Sequence, residues 1–248
     1  MCNAQRLGLK FLVGLADPEI ARWMEREHGE VETYPLFEHA EVSAEGEFMS
    51  SNFFRIVWRA MELVRELLDS GISVFFIDVD VHLLQDPHLY LSSNCDLVYQ
   101  QNHCGADAPA RTAMEVTEPN SGLYLVKSRW ASKQFLSEIL LNKPADRKSG
   151  EKYSHAERVQ IQYWEHLKRW YGFQRAVLSQ LPEENDKERK KHVAKFCAAD
   201  SHKFATGWAL ERDNFSIIKS EVIALHINCI TGRQNKIDKL RNLSLWCP

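Results

Sequence analysis

The sequence predicts an α/β protein in which helices flank a mixed central sheet. A long amphipathic helix ends at Ser70-Gly71, and an apolar segment at residues 74–77, with the composition of a buried strand, follows it directly. Helical and strand-like segments also alternate along most of the chain. Its 248 residues, 44% of them hydrophobic, are enough for one sizeable core. We therefore expect a single domain over residues 1–248.

The elements in the first half of the chain have clear local signals. Asp17 precedes Pro18, and a capping residue followed by proline at the first helical position predicts a helix between two short strands. Ser50 or Ser51 can cap the long helix, in which apolar residues recur at helical spacing. The predicted elements are strands at 10–16, 31–36 and 74–77 and helices at 18–28 and 52–69.

The second half of the chain continues this alternation. Residues 101–119 lack a regular apolar period and predict a loop. An aromatic-rich segment at 155–170 predicts a helix. The other predicted elements are strands at 96–100, 122–127 and 222–227, a helix at 130–141 and a final helix that ends at 245.

Two carboxylates one residue apart, Asp78 and Asp80, come directly after the apolar strand at 74–77. Ligands of open α/β sheets bind beyond the carboxyl ends of strands. Charged groups seldom follow a buried strand unless they are paired or coordinate an ion. Carboxylate oxygens suit Mn²⁺ or Mg²⁺, which would hold the phosphates of a nucleotide. An isolated Asp-x-Asp is also common as a solvated turn or cap.

A second group of candidate residues lies near the C-terminus. His226 lies in a predicted strand, and Gly232 and Lys236 lie where the final helix begins. The free N–H groups of a helix N-terminus attract phosphate, glycine permits close approach, and lysine adds a positive charge. A neutral His226 could add a nitrogen ligand to the metal. The alternative is a hydrogen-bonded histidine and a surface lysine.

Two further groups are weaker candidates. Asn120, Ser121 and Gly122 precede a predicted strand, where the glycine permits close backbone approach and the Asn120 amide could bind sugar hydroxyls. The same residues also fit a simple turn. Arg55 and Arg59 lie one turn apart on the long helix and could face either a bound donor or solvent.

Together these segments resemble the nucleotide-diphospho-sugar transferase family, the retaining glycosyltransferases that include plant cell-wall arabinosyl-, xylosyl- and galactosyltransferases. The resemblance covers most of the chain. No single segment is specific, but three occur in the expected order. They are LLDSGISVFFIDVDVHLLQDP, NSGLYLVKS and LHINCITGRQNKIDKLRNLSLW. The resemblance implies a GT-A fold, a Rossmann-like nucleotide-binding arrangement, and the activity of a hexosyl- or pentosyltransferase.

The resemblance also implies roles for particular residues. Asp78 and Asp80 would be the Asp-x-Asp motif that binds Mn²⁺ and the diphosphate of the sugar nucleotide. His226 would be the third metal ligand, and Gly232 and Lys236 would bind the phosphates. The implied reaction moves a sugar from a nucleoside diphosphate, with UDP expected, to a hydroxyl of a glycan or protein acceptor. The anomeric configuration would be retained.

The chain departs from the family pattern in three places. Residues 11–17 resemble the family's second strand, so we expect the usual first strand to be missing. The chain would then be a truncated gene model, a fragment that lacks an upstream membrane anchor, or a reduced variant. Similar proteins carry an Asp-Gln pair on the acceptor side, whereas this chain has Glu157 and Gln160, which become the candidate acceptor-side residues. The family's Phe-Pro-x-Gly segment is here Phe204-Ala-Thr-Gly207.

Two alternatives to the transferase stay open. A non-catalytic relative would keep the fold without binding a nucleotide, in line with the expected loss of the first strand. Phosphohydrolases that form an aspartyl-phosphate also place Asp-x-Asp after an apolar strand. Their motif lies on the first strand and continues with Thr or Val where this chain has His82.

Composition limits the partners and the compartment. A formal net charge of −3 gives no general attraction to nucleic acid. No apolar run is long enough for a membrane span, and residues 1–10 lack a signal-peptide core. The six cysteines are scattered, which favours free thiols in a reducing compartment. We expect the chain as given in the cytoplasm, or in the Golgi lumen if an upstream membrane anchor belongs to the protein.

Overall fold

The computed structural model describes residues 2–37, 50–91, 94–102, 118–145, 154, 157–180, 194–207, 220–230 and 232–246. The chain divides into two compact units. The first comprises Met1–Leu9, Ser73–Lys127 and Tyr171–Pro248, and the second comprises Lys10–Ile72 and Ser128–Trp170. Each unit contains helices and strands, which confirms the predicted α/β class.

The second unit combines a small parallel sheet with a helical core. Its elements are β1 (Leu12–Leu15), α2 (Pro18–Glu27), β2 (Glu32–Pro35), α3 (Ser51–Asp69), α4 (Trp130–Leu140) and the first part of α5 (Val159–Gln180). β1 and β2 pair in parallel. α3 and α4 pack together and bury Trp58, Leu68 and Phe135, and the Phe135 ring meets Tyr163 of α5 edge to face at 5.2 Å. α5 is longer at its C-terminal end than the predicted helix at 155–170.

Side-chain caps define where the helices of the second unit begin. Asp17 Oδ1 accepts a hydrogen bond from the Glu19 N–H at 2.6 Å, and Pro18 is the first helical residue. Ser50 Oγ accepts from the Phe53 N–H at 3.2 Å, so Ser50 and not Ser51 caps α3. Beyond the end of α3, Gly71 has φ +86°, a conformation that glycine adopts without strain. The predicted start of α2 and end of α3 are confirmed.

The first unit is built around two mixed sheets. Its elements are α1 (Cys2–Arg6), β3 (Val74–Ile77), β4 (Val81–Leu83), a short 3₁₀ helix (Pro87–Leu89), β5 (Leu97–Gln101), β6 (Pro119–Val126), β7 (Phe196–Ala198), β8 (Phe204–Thr206), β9 (Ala224–His226), α6 (Arg233–Asn242) and the last part of α5. One sheet has the strand order β3-β6-β5-β7 and the other has β4-β9-β8. Each contains both parallel and antiparallel pairs. The predicted mixed pairing is therefore present, distributed over separate sheets.

α6 covers one of these sheets with apolar side chains. Leu240, which lies on α6, and Leu245, which follows the helix, pack with residues of β8 and β9 and their flanks. The buried cluster comprises Ala205, Val222, Leu225, Ile227, Leu240 and Leu245. This packing holds the N-terminal end of α6 beside the end of β9.

β6 begins earlier than the sequence predicts. The turn interpretation of residues 119–122 is wrong, because these residues belong to the strand. The strand nevertheless bulges: between the Tyr99–Tyr124 and Gln101–Pro119 pairs, β5 has only Gln100 while β6 has residues 120–123. The extra residues in β6 explain why a turn-like composition occurs inside a strand.

Three short strands and the burial of β3 differ from expectation. β4, β7 and β8 have three residues each, too few for a recognisable period, and the sequence does not predict them. β3 has the predicted bounds, but all four of its residues are half-buried where the apolar run predicts full burial. In the part of the chain that the structure describes, β3 is an edge strand of its sheet.

The prediction of free thiols is wrong for three of the six cysteines. Cys95 and Cys197 form a disulfide with a Cα–Cα distance of 6.0 Å, which joins the start of β5 to β7. Cys229 is disulfide-bonded as well. Spacing along the chain cannot reveal such pairs, because 102 residues separate Cys95 from Cys197.

Among the described helices, none has the length and apolar content to cross a bilayer.

Candidate active site

Asp78 and Asp80 lie in the tight turn that joins β3 to β4, where the chain passes from one sheet to the other. The Asp78 N–H donates to the Gly122 carbonyl at 2.8 Å, and the Val81 N–H donates to the Asp78 carbonyl at 3.1 Å. Val79, between the two aspartates, is fully exposed. Both carboxylates therefore sit at the carboxyl end of β3, as the sequence predicts.

β9 brings His226 to the same place. Val81 of β4 pairs with His226 in the antiparallel register. The His226 Nε2 atom lies 3.1 Å from Asp80 Oδ1 and 3.9 Å from Asp78 Oδ2. One ligand atom from each of the three side chains lies within 4.8 Å of the other two. Asp78, Asp80 and His226 thus form one group, which could hold a metal ion.

Gly122 of β6 passes directly against this group. A Cβ atom at Gly122 would lie 2.1 Å from Asp78 Oδ2 and 2.7 Å from His226 Cε1. Only a residue without a side chain leaves room for the carboxylate and the imidazole at these positions. From the sequence, Gly122 is expected to let a bound donor approach the backbone. In the structure, the described side chains nearest to it are two candidate metal ligands, Asp78 and His226.

The N-terminal end of α6 is the positive part of the site. Lys236, in the first turns of the helix, donates from Nζ to Asp80 Oδ2 at 2.5 Å. Gly232 is the N-cap residue with φ +91°, and no described side chain caps this end. Its backbone N–H groups and the helix dipole favour an anion there. The binding of phosphate by Gly232 and Lys236 stays a prediction.

The two aspartates have pKa values shifted in opposite directions. Burial would raise the pKa of Asp80, but the hydrogen bonds and charges of His226 and Lys236 outweigh it and lower that pKa. Desolvation raises the pKa of Asp78, opposed mainly by the charge of His226. Because 48% of the Asp78 side chain is exposed, solvent moderates this shift. Two carboxylates this close, with too little positive charge for both, form a pair that a divalent cation would stabilise.

Asn120 is buried and bonded within the protein. Its Oδ1 atom accepts from the Gly122 N–H at 2.7 Å, and its Nδ2 atom lies 3.5 Å from Asn102 Oδ1. These contacts hold the bulged part of β6 and therefore the position of Gly122. Ser121, the neighbouring residue of β6, is half-buried. Contacts of Asn120 and Ser121 with a sugar stay a prediction.

Four predicted site residues belong to the second unit. Arg59 donates to the Glu66 carboxylate at 2.6 Å and to the Leu36 carbonyl at 3.0 Å. The hydrogen bond to Glu66 is the main cause of the raised pKa of Arg59. The Arg55 guanidinium lies 5.7 Å from the centre of the Phe37 ring. Before α5, Glu157 accepts from the Ser154 N–H at 2.5 Å, and Gln160 is half-buried in its first turn. Donor and acceptor roles for these four residues stay predictions.

Gln100 is a residue of the site that sequence patterns do not identify. It lies on β5, is 1% exposed, and places its Oε1 atom 2.9 Å from His226 Nδ1. The sequence signal for Gln100 is weak, because it is only a polar amide at the end of the predicted apolar strand at 96–100. The contact joins residues 126 positions apart, which only the fold brings together.

The donor atoms suit a divalent cation of intermediate hardness. Two carboxylate oxygens and one imidazole nitrogen are ligands that Mn²⁺ accepts, and Mg²⁺ favours the oxygens. The space that Gly122 leaves and the short distances between the ligand atoms fit such an ion. A divalent cation held there, beside a lysine at a helix N-terminus, would favour the binding of a diphosphate.

Comparison with known proteins assigns the family. The model of the nucleotide-diphospho-sugar transferase family matches residues 9–240, nearly the whole chain. The chain belongs to this family, and the protein is a glycosyltransferase with a GT-A-like α/β fold. The resemblance inferred from the three sequence segments is confirmed. The match assigns the chain to a transferase family and not to the aspartyl-phosphate phosphohydrolases.

Two further comparisons add little to the family assignment. No curated protein matches the chain significantly. Among solved structures, the chain is similar to a glycosyltransferase involved in the glycosylation of the major capsid of PBCV-1. The two chains are 12% identical with a TM-score of 0.43, and the alignment covers 95% of this chain and 98% of the other. This likeness is too low to indicate a substrate.

Proposed function

We propose that the protein is a metal-dependent retaining glycosyltransferase that moves a sugar from UDP to a hydroxyl of a glycan or protein acceptor. The observation that carries this proposal is the group formed by Asp78, Asp80 and His226 beside Lys236 at the start of α6. The family assignment supplies the sugar-nucleotide donor class. UDP, Mn²⁺ and retention of configuration rest on the resemblance to the family's retaining members.

Asp78, Asp80 and His226 would hold Mn²⁺ or Mg²⁺. The bound ion supplies positive charge where the diphosphate leaving group develops negative charge. Asp80 has a lowered pKa, so it is ionised and ready to bind a cation at neutral pH. His226 is 2% exposed, which keeps its ring in one orientation toward the carboxylates.

Lys236 and the Gly232 end of α6 would bind the diphosphate. The ammonium group of Lys236 contacts Asp80, so it lies beside the group that would hold the metal and could add positive charge for a diphosphate. The N–H groups at the start of α6 add a fixed dipole that needs no rearrangement during the reaction. The leaving group carries more charge in the transition state than in the ground state, so these contacts would speed the reaction as well as tighten binding.

Calorimetry of UDP binding tests the metal site. Wild-type protein should bind UDP with Mn²⁺ present and lose this binding after chelation of the metal. Asp80→Asn keeps the shape of the side chain and removes its charge, so UDP affinity should fall by more than about 100-fold. This loss is larger than the one expected when a residue that only supports a metal ligand is removed. The matched control is Asp86→Asn, because Asp86 caps the short 3₁₀ helix and asparagine can do the same.

The outcomes of this experiment separate three cases. Metal-dependent UDP binding that fails only in Asp80→Asn supports the proposal. Folded wild-type protein that binds no UDP would support a non-catalytic relative, and equal losses in both variants would argue against a specific role for Asp80. Retention of configuration is tested separately, by proton NMR of the product formed by an active donor and acceptor pair.

The disulfides support an oxidising compartment such as the Golgi lumen. Cys95 and Cys197 are paired, and Cys229 is disulfide-bonded as well. Disulfides of this kind persist in secretory compartments and are rare in the cytosol.

Because the family match runs through both compact units, we also propose that they act as one transferase domain. In this proposal Glu157 and Gln160 serve the acceptor, and Arg55 and Arg59 serve the donor.

A further inference from the structure

His226 has a different partner at each ring nitrogen. Its Nε2 atom faces Asp80 Oδ1 at 3.1 Å and Asp78 Oδ2 at 3.9 Å. Its Nδ1 atom faces Gln100 Oε1 at 2.9 Å. Both His226 and Gln100 are nearly inaccessible to solvent, at 2% and 1% exposure. The partner at Nδ1 is therefore Gln100 and not bulk water.

The orientation of the Gln100 amide follows from its other contacts. Its Nε2 atom lies 3.1 Å from the Phe204 carbonyl oxygen and 2.9 Å from the Ala205 carbonyl oxygen. Carbonyl oxygens only accept hydrogen bonds, so the NH₂ group must face them. A flipped amide would place its oxygen against two other oxygens. Oε1 is therefore the atom that faces His226.

An amide oxygen can only accept, so His226 Nδ1 must carry a hydrogen. Without a cation, the carboxylate oxygens that face Nε2 can only accept a hydrogen from it. With a cation bound, Nε2 would give its lone pair to the ion, and the ring hydrogen would be on Nδ1. Nε2 is the nitrogen that faces Asp78 and Asp80. Ligating histidines commonly depend on such a partner at the second ring nitrogen, which fixes both the tautomer and the ring orientation.

We propose that Gln100 is a positioning residue for the metal site: it holds His226 with hydrogen on Nδ1 and directs the Nε2 lone pair toward the cation. This inference rests on the proposed metal site. The position of Gln100 suits this role, because it lies on β5 in one sheet and bonds residues of β8 and β9 in the other. A single buried amide thus joins the two sheets and orients the ligand.

The first test is the affinity for Mn²⁺ alone, measured by electron paramagnetic resonance of the free ion. Gln100→Leu keeps similar volume and removes the acceptor, so Mn²⁺ affinity should fall by about 10- to 100-fold. The matched control is Gln101→Leu. Gln101 is the next residue of β5, and its Nε2 atom donates to the Ala199 carbonyl at 3.1 Å. The control removes a comparable hydrogen bond from a side-chain amide to a backbone carbonyl. Its Mn²⁺ affinity should stay within about threefold of the wild-type value, because Ala199 lies on the β7 side of the sheet.

The second test reads the tautomer directly. Long-range ¹H–¹⁵N NMR spectra of histidine-labelled protein with Mg²⁺ distinguish hydrogen on Nδ1 from hydrogen on Nε2, and His226→Gln identifies the signal. Wild type should show His226 with hydrogen on Nδ1. Hydrogen on Nε2 in wild type would overturn the proposal, and this spectrum decides the matter even if Gln100→Leu fails to fold.

The two tests separate failure of this inference from failure of the proposed function. Wild type that binds neither Mn²⁺ nor Mg²⁺ overturns the metal site and with it the role of Gln100. Wild type that binds Mn²⁺, with folded Gln100→Leu binding it equally well, overturns only the role of Gln100. A selective loss in Gln100→Leu together with hydrogen on Nδ1 in wild type supports the inference.

Discussion

At the scale of single residues, the metal site depends on space as much as on charge. Asp78 and His226 approach each other because the strand that passes beside them has no side chain at Gly122. The Asn120 side chain accepts the Gly122 N–H and holds that part of the strand. Charges at the right positions would not suffice if β6 carried a larger residue there.

We expect Gly122→Ala to weaken Mn²⁺ binding roughly tenfold or more. The new Cβ would overlap Asp78 Oδ2, and the partly exposed Asp78 side chain would turn away from the metal, since buried His226 has less freedom to move. Mn²⁺ titration of the folded variant measures the effect.

Gly172→Ala is the control for a glycine replacement. Gly172 lies inside α5, and a Cβ atom there would have no neighbour within 4 Å among the described residues. This change should leave Mn²⁺ binding unaltered and raise stability by about 0.5–1 kcal/mol. Unchanged Mn²⁺ affinity in Gly122→Ala would contradict the steric explanation.

At the scale of elements, α3 leads the chain into β3 and so into the site. The helix begins at the Ser50 cap, ends at Asp69 and is followed by Gly71 with positive φ. Trp58 and Leu68 bury its apolar face within the second unit. The local signals at the two ends of α3 therefore define where β3 begins. They also place Asp78 and Asp80 directly after that strand.

Ser50→Ala should lower the free energy of unfolding by about 1 kcal/mol, within a range of about 0.5–2 kcal/mol. The variant leaves the Phe53 N–H without the Ser50 Oγ acceptor at the start of α3. Urea unfolding followed by circular dichroism measures the change. Ser50→Thr keeps an oxygen at the cap and should lose clearly less, so equal losses in the two variants would count against the capping contact.

At the scale of the whole molecule, a disulfide ties distant segments of the first unit. Cys95 and Cys197 are 102 residues apart in sequence and meet where β5 and β7 pair in parallel. A cross-link over so long a loop restricts the unfolded chain strongly. Cys95 lies just before β5, the strand that carries Gln100, so the disulfide is close along the chain to a residue of the candidate metal site.

Replacing both cysteines by alanine should destabilise the protein by about 2–5 kcal/mol. Urea unfolding of the non-reduced wild type and of the Cys95→Ala/Cys197→Ala protein measures this difference. Wild type with added reductant is the control and should lose at least as much stability, because it loses every disulfide. Mass spectrometry of non-reduced peptides that found free thiols at Cys95 and Cys197 would contradict both the pairing and the proposed oxidising compartment.

Several features of the site were predictable because their signals are local. The Asp17 cap, the end of α3 and the bounds of β3 follow from spacing and residue type over a few positions. The place of Asp78 and Asp80 at a strand end follows from the same signals. By contrast, β4 and β8 have three residues each and are stabilised by pairing with β9, which spacing along the chain does not show.

The sequence by itself determined the α/β class and the position of the two aspartates, because each is encoded in residues close together in the chain. It also determined the family, because three segments occur in the order that the family requires. Only the tertiary structure decided which side chains meet. Gln100 reaches His226 across 126 residues, and Gly122 leaves room for Asp78 beside the same histidine. These contacts depend on strand register and on the bulge in β6, where a shift of one residue would turn each side chain to the opposite face.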